Sequence, residues 1–161
     1  MHSHSNKLRR GRGMSLVETL VAVVFLMIAF IGTSSVRYYA ALDGRKATER
    51  TAASRVALLL CESWRGLAGA ESYDPVAYFS STLAISEENT GPDKPTGFTL
   101  LGNYAITLDG ANYRATLSWR DVQSGLRALS VVVAWAQRNP GEKEIANMDK
   151  SFRLTSYAAT L

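Results

Sequence analysis

The longest unbroken apolar segment of the chain covers residues 20–31, close to the N-terminus. When it is extended to residues 16–36, the segment contains a single charged side chain, Glu18. At a rise of about 1.5 Å per residue, a helix of this length is long enough to cross a hydrocarbon core of roughly 30 Å. The segment therefore predicts one membrane-spanning helix.

The positive charge of the chain is concentrated directly before this segment. Lys7, Arg9, Arg10 and Arg12 account for the whole net charge of +4, because the remaining basic side chains equal the 14 acidic ones in number. A basic segment before a membrane-spanning helix predicts a cytoplasmic N-terminus, with the rest of the chain outside the cytoplasm. The same distribution argues against a basic domain that binds nucleic acid.

Two common kinds of N-terminal segment fit this pattern. A cleaved secretory signal has a basic start, an apolar centre and small residues such as those at 32–35. A signal anchor has the same start and is not cut. Neither explains Glu18, because a carboxylate at the edge of the bilayer core is costly unless a cation at a similar depth pairs with it.

The residues around Glu18 carry a third interpretation. The string RGMSLVE at residues 12–18 resembles the class III signal of type IV prepilins, with Met14 where phenylalanine is commoner. The resemblance implies that prepilin peptidase cleaves between Gly13 and Met14 and that the new amino group of Met14 is N-methylated. It also implies that Glu18 of one subunit pairs with the Met14 amine of the next subunit in a filament.

A long helix is predicted to follow the cleavage site, because no proline occurs before Pro75. Beyond the apolar segment, apolar side chains recur at spacings of three and four residues and define one helix face: Ala53, Val56, Leu60, Trp64 and Leu67. Gly66 and Gly69 are helix stop signals. The sequence thus predicts a leader at 1–13, a membrane-spanning or filament-core helix at 14–36, its amphipathic extension at 37–66 and a globular head at 67–161.

The head is predicted to contain a short helix and a small antiparallel meander. Asp74-Pro75 predicts the start of the short helix, and residues 87–97 predict a polar loop. Alternation of apolar and polar side chains predicts a half-buried strand at 113–120, after a hairpin turn at 109–112. The other predicted strands are at 104–108, 126–136 and 152–158.

The predicted fold class is α+β, a long N-terminal helix packed on a small antiparallel sheet, and this order of elements is similar to the type IV pilin fold. The string LSWRD at 117–121, followed by an apolar strand, resembles the PilV group of minor pilins and related minor pseudopilins of type II secretion. The resemblance implies a non-enzymatic structural subunit of the inner membrane, with a periplasmic head, that enters a pilus or pseudopilus. The partners that it implies are prepilin peptidase, other pilin or pseudopilin subunits and an inner-membrane assembly platform.

Catalytic and metal-binding residues are scarce in the predicted head. His2 and His4 are the only histidines, so the head contains no histidine triad, general base or metal ligand. Cys61 is the only cysteine and is expected to be a small buried residue. We therefore expect no catalytic residue, cofactor or metal ion; a signal-anchored periplasmic binding module is the alternative function, and an extracytoplasmic enzyme is the weakest.

Two further groups of side chains have both a structural and a functional interpretation. Glu87, Glu88 and Asp93 could bind calcium in their predicted loop, but their spacing matches no calcium-loop pattern, so a solvated acidic loop is favoured. The three tryptophans fall on apolar faces and are expected in the core: Trp64, Trp119 and Trp135.

Overall fold

The computed structural model describes residues 15–160 and contains one long N-terminal helix and a five-stranded antiparallel sheet. This confirms the α+β class. The chain divides into two compact units, Met1–Asp43 and Gly44–Leu161, which we call the N-terminal unit and the head unit. The predicted leader and the cleavage site at Gly13 and Met14 lie outside the described residues.

Helix α1 covers Leu16–Gly66 and has no interruption, as the absence of proline predicts. In the N-terminal unit its apolar side chains are exposed, and Leu16 retains 82% of its accessible surface. Within the described residues, α1 is the one helix long and apolar enough to cross a membrane, and none of that segment is buried inside the molecule. Its length and composition agree with the predicted membrane-spanning helix.

In the head unit, one face of α1 packs against the sheet. The predicted stripe is confirmed at four positions, since Ala53, Val56, Leu60 and Trp64 are buried. The prediction is wrong for Leu67, which is 39% exposed, because α1 ends at Gly66 and the chain leaves the helix before that residue.

Backbone geometry explains where α1 stops. Ala68 and Gly69 both adopt positive φ angles, 54° and 68°, and the Gly69 N–H donates to the Trp64 carbonyl at 3.1 Å. This left-handed turn satisfies a carbonyl group of the last helical turn. A Cβ atom at Gly69 would also lie 3.0 Å from Leu129 Cδ2, so the close packing of the turn on the sheet favours glycine there.

The remaining elements follow in chain order and form a simple meander. Helix α2 begins at Pro75, as predicted, and the Val76 N–H donates to Asp74 Oδ1 at 2.9 Å. The sheet has the strand order β1-β2-β3-β4-β5, and every neighbouring pair is antiparallel. The bounds are α2 Pro75–Phe79, β1 Ala84–Glu88, β2 Thr99–Leu108, β3 Ala111–Gln123, β4 Leu126–Trp135, the 3-10 turn Ile145–Asn147 and β5 Lys150–Ala159.

The structure corrects the predicted strand boundaries. Strand β1 was not predicted, and it contains Glu87 and Glu88, which the sequence pattern assigned to a loop. It is a short edge strand with little apolar alternation, so its pairing with β2 decides its conformation. The hairpin turn is also shorter than predicted, because Asp109 and Gly110, both at positive φ, make the turn alone.

The predicted half-buried strand is buried on both faces in its central part. Thr116 and Ser118 belong to the polar set, yet both are almost fully buried. The loop between β1 and β2 lies against this face of the sheet: a Cβ at Gly91 would collide with Thr116 Oγ1 and with the Asn103 side chain. Thr116 Oγ1 donates to Asn103 Oδ1 at 2.8 Å, and Asn103 Nδ2 donates to the Asn89 carbonyl of the loop at 3.4 Å, so the contact to the loop is polar.

Trp64 is the largest fully buried side chain of the head unit, and its removal tests the contact between α1 and the head. Its ring stacks on Tyr73 with centroids 5.9 Å apart, and its Nε1–H donates to the Ala70 carbonyl at 2.8 Å. We expect Trp64→Ala to lower the free energy of unfolding by about 3–5 kcal/mol. Urea denaturation of the full chain in detergent micelles, followed by near-ultraviolet circular dichroism, measures this.

Leu58→Ala is the matched control, because Leu58 lies on the same helix and is 52% exposed. It should change the free energy of unfolding by no more than about 0.5 kcal/mol. Equal effects of the two substitutions would contradict the assigned packing face.

Candidate functional site

The first turn of α1 contains Glu18, the acidic residue that the sequence singles out. Ser15 precedes the helix, and its Oγ accepts a hydrogen bond from the Glu18 N–H at 3.3 Å. The Ser15 carbonyl also accepts from the Glu18 and Thr19 N–H groups, at 2.9 and 3.1 Å. Ser15 is therefore the N-cap, and Glu18 occupies the third helical position, as in a capping box.

This local role of Glu18 was missed in the sequence analysis, although Ser15-x-x-Glu18 is the signal for it. A carboxylate in the first helical turn also interacts favourably with the positive end of the helix dipole. Glu18 thus has one role inside its own helix. The other, pairing with the amine of a second subunit, stays a prediction.

The surroundings of Glu18 are apolar and exposed. Leu16, Val17 and Leu20 retain 82%, 68% and 60% of their accessible surface. Within residues 15–160, the Glu18 carboxylate forms no ion pair. A charged group on an apolar helical surface is costly in lipid unless a cation neutralises it, so this carboxylate is suited to an ionic contact with another chain or terminus.

A second polar cluster surrounds Arg127 in the head unit. Its guanidinium donates to both Asp121 carboxylate oxygens, at 2.7 and 3.2 Å, to Glu71 at 3.0 Å and to the Gly69 carbonyl at 3.1 Å. The guanidinium carbon also lies 3.7 Å from the centroid of the Trp119 ring. The cluster links β4, the end of β3 and the turn after α1, and Trp119 is only partly buried beneath it.

The charge-assisted bonds of this cluster shift the acid–base equilibria of its members. The hydrogen bond from Arg127 lowers the pKa of Asp121, and the same bond raises the pKa of Arg127. Because the guanidinium is already bonded to two carboxylates, a carbonyl and an aromatic ring, it stabilises the fold and does not present a free cation to a ligand.

Cys61 is buried in the contact between α1 and the sheet and forms no disulfide. Burial raises the pKa of its thiol, which disfavours the reactive thiolate. The prediction of a small buried residue is confirmed.

The acidic residues do not form the cluster considered for calcium. Glu87 and Glu88 lie in β1, whereas Asp93 lies in the following loop, and Glu88 Oε1 is 2.6 Å from Arg114 Nη1. Across residues 15–160, no three His, Cys, Asp or Glu side chains are placed to share a metal ion.

Comparison with known proteins assigns no family, because no family model, curated protein or solved structure matches the chain. Function is therefore inferred from three features of the chain itself. These are the string at residues 12–18, the apolar first half of α1 and the exposed carboxylate of Glu18.

The Arg127 cluster predicts how stability depends on pH. Because the folded-state pKa of Asp121 is lowered, its contribution is present above the ordinary aspartate value of about 3.9 and is lost as the pH falls through the folded-state value. We expect Asp121→Asn to make the free energy of unfolding less dependent on pH between about pH 2 and pH 6. Urea titrations of both proteins across this range measure the difference.

Glu142 and Asp149 must be separated from this effect, because hydrogen bonds from backbone amides lower their pKa values too. Both carboxyls are present in the two proteins compared, so they cancel in the difference between them. If the free energy of unfolding had the same pH dependence in the two proteins, Asp121 would not contribute to the loss of stability in acid.

Proposed function

We propose that this chain is a non-enzymatic structural subunit, a minor pilin or pseudopilin with a pilin-like fold. It is processed by prepilin peptidase between Gly13 and Met14 and assembled into a type IV pilus or a type II secretion pseudopilus. The observation that carries the proposal is the exposed Glu18 carboxylate, in the first turn of an apolar helix and four residues after Met14. The fold supports it, since a long helix precedes an antiparallel meander that packs on the second half of that helix.

The proposed chemistry of assembly is an ionic contact between subunits. Cleavage after Gly13 creates an α-ammonium group on Met14, and Glu18 supplies a carboxylate one helical turn later. In a filament, the ammonium of one subunit neutralises the carboxylate of its neighbour, and the low dielectric constant among packed apolar helices strengthens the attraction. The Ser15 cap contributes by ordering the turn that holds Glu18.

The proposed location follows from charge and hydropathy. The basic leader stays in the cytoplasm, α1 crosses the inner membrane once and the head lies in the periplasm. Before assembly the apolar half of α1 contacts lipid, and afterwards it contacts the same segment of other subunits. The proposed partners are prepilin peptidase, other pilin or pseudopilin subunits and the inner-membrane assembly platform.

Processing is the first test of this proposal. Mass spectrometry of the chain purified from its host membranes should find an N-terminus at N-methylated Met14. Gly13→Val should leave the leader attached, because a β-branched side chain replaces hydrogen beside the scissile bond. Gly11→Val is the matched control and should be processed normally. An intact leader in the unaltered chain, or cleavage among residues 32–35, would reject the prepilin assignment.

Glu18 has two roles that substitutions can separate. Glu18→Gln keeps a side chain that is compatible with a capping box but removes the charge, so it should insert into the membrane and enter filaments poorly. Ser15→Ala weakens the cap by about 1 kcal/mol and keeps the charge, so it should still assemble. The ratio of chain in sheared filaments to chain in membranes, measured by immunoblot, reports assembly.

Incorporation of Glu18→Gln at the level of the unaltered chain would refute the ionic contact. If Ser15→Ala assembled as poorly as Glu18→Gln, the defect would belong to the start of the helix and not to the charge.

A further inference from the structure

A groove of about 540 Å³ lies within the head unit, between α1 and the sheet. We call it the head groove. Lys46, Arg50 and Thr51 line it from α1, and Trp135, Lys150 and Ser151 line it from the ends of β4 and β5. Neither the Arg127 cluster nor Glu18 belongs to it.

Three cations converge on this groove. Lys46 and Arg50 are four residues apart on one helix, a spacing at which like charges repel, and Lys150 lies across the groove from them. Lys46 also interacts with another group of the chain. Lys150 lies 3.4 Å from Asp149 Oδ2, with both side chains about half exposed, so that ion pair is weak.

Of the three cations, the guanidinium of Arg50 has the fewest interactions with the rest of the described chain. It forms no hydrogen bond or ion pair with any other described residue of the chain. Its planar fork of N–H donors matches two oxygens of one phosphate or carboxylate group. Because Arg50 lines the groove, its N–H donors are available to an anion there.

Trp135 supplies an independent observation. Trp135 lines the head groove and is only 6% exposed, and its buried Nε1–H has no hydrogen-bond acceptor among residues 15–160. Buried donors in folded proteins are nearly always bonded, and one without a partner is unfavourable. A ligand oxygen that reached Nε1 from the groove would supply the missing acceptor.

We propose that the head groove binds a phosphate group, either of an anionic phospholipid or of a soluble phosphate ester. Arg50 binds two of its oxygens, Lys46 and Lys150 supply further positive charge, and Trp135 and Phe152 provide apolar surface for the adjoining carbons. The proposal concerns the head unit alone and does not depend on cleavage at Gly13.

The size and charge of the groove favour a single phosphate over a nucleic acid. From residue 14 onward the chain is formally neutral. A protein that binds a nucleic acid backbone commonly neutralises about 6–10 phosphates, whereas this groove offers three cations.

The test uses the full chain in a non-ionic detergent and native mass spectrometry. Phosphatidylglycerol should be retained in preference to phosphatidylcholine, which has the same phosphate but no net charge. The double substitution Arg50→Ala, Lys150→Ala should weaken retention of phosphatidylglycerol about 30-fold, since each basic side chain contributes a factor of about five to six.

The matched control is Arg55→Ala, Arg138→Ala, which removes two exposed cations outside the groove. It should retain phosphatidylglycerol like the unaltered chain. Lipid bound around the apolar half of α1 is common to all variants, so the difference between the double variants isolates the groove.

Four further outcomes are decisive. Displacement of phosphatidylglycerol by millimolar inorganic phosphate supports the proposal and favours a soluble phosphate ester over a lipid, whereas retention against phosphate supports the lipid. Equal losses in the two alanine pairs would overturn it. Displacement by a short single-stranded oligonucleotide at lower concentration than by phosphate would also overturn it, in favour of nucleic acid.

Discussion

Glu18 carries the single charge of an otherwise apolar and exposed helical segment. The cost of keeping its carboxylate ionised depends on whether water, lipid or a cation surrounds it. Within its own chain the carboxylate has the helix dipole and the turn capped by Ser15, but no cation among the described residues. Those local interactions suffice in water and do not offset transfer to lipid. In the filament that we propose, each neighbour would supply an ammonium group, and this contact would both neutralise the charge and fix the axial position of the subunits.

The second half of α1 has a different role, because it belongs to the head unit and packs against the sheet. Leu60 and Trp64 supply the buried apolar surface, and the Trp64 indole is also bonded to the turn that follows the helix. Arg127 then ties that turn to two strands. Apolar burial supplies most of the stability, and the directional bonds of the arginine fix how the helix end sits on the sheet.

The sequence predicted those parts of the fold that depend on strong periodicity. The apolar face of α1 and the alternation in β3 both had clear periods, and both elements are present. Strand β1 was missed because an edge strand with two glutamates takes its conformation from its partner strand. The burial of Thr116 was missed for a related reason, since the loop that covers it comes from a distant part of the chain. Of the candidate site, residues 12–18 pointed to Glu18, whereas the head groove joins residues about a hundred positions apart and left no local pattern.

Beyond the leader the chain is formally neutral, yet three basic side chains line the head groove. Net charge describes the field far from the molecule, and on that scale the head neither attracts nor repels a polyanion. At a few ångströms the placement of individual groups decides, and folding places Arg50 and Lys150 in one groove with Trp135, whose indole donor has no acceptor among the described residues. The proposed site for one phosphate and the expectation of no nucleic-acid binding are therefore compatible, because they refer to different distances. The same distinction applies to Glu18, whose single charge matters little to the net charge and greatly to the ionic contact that we propose for it.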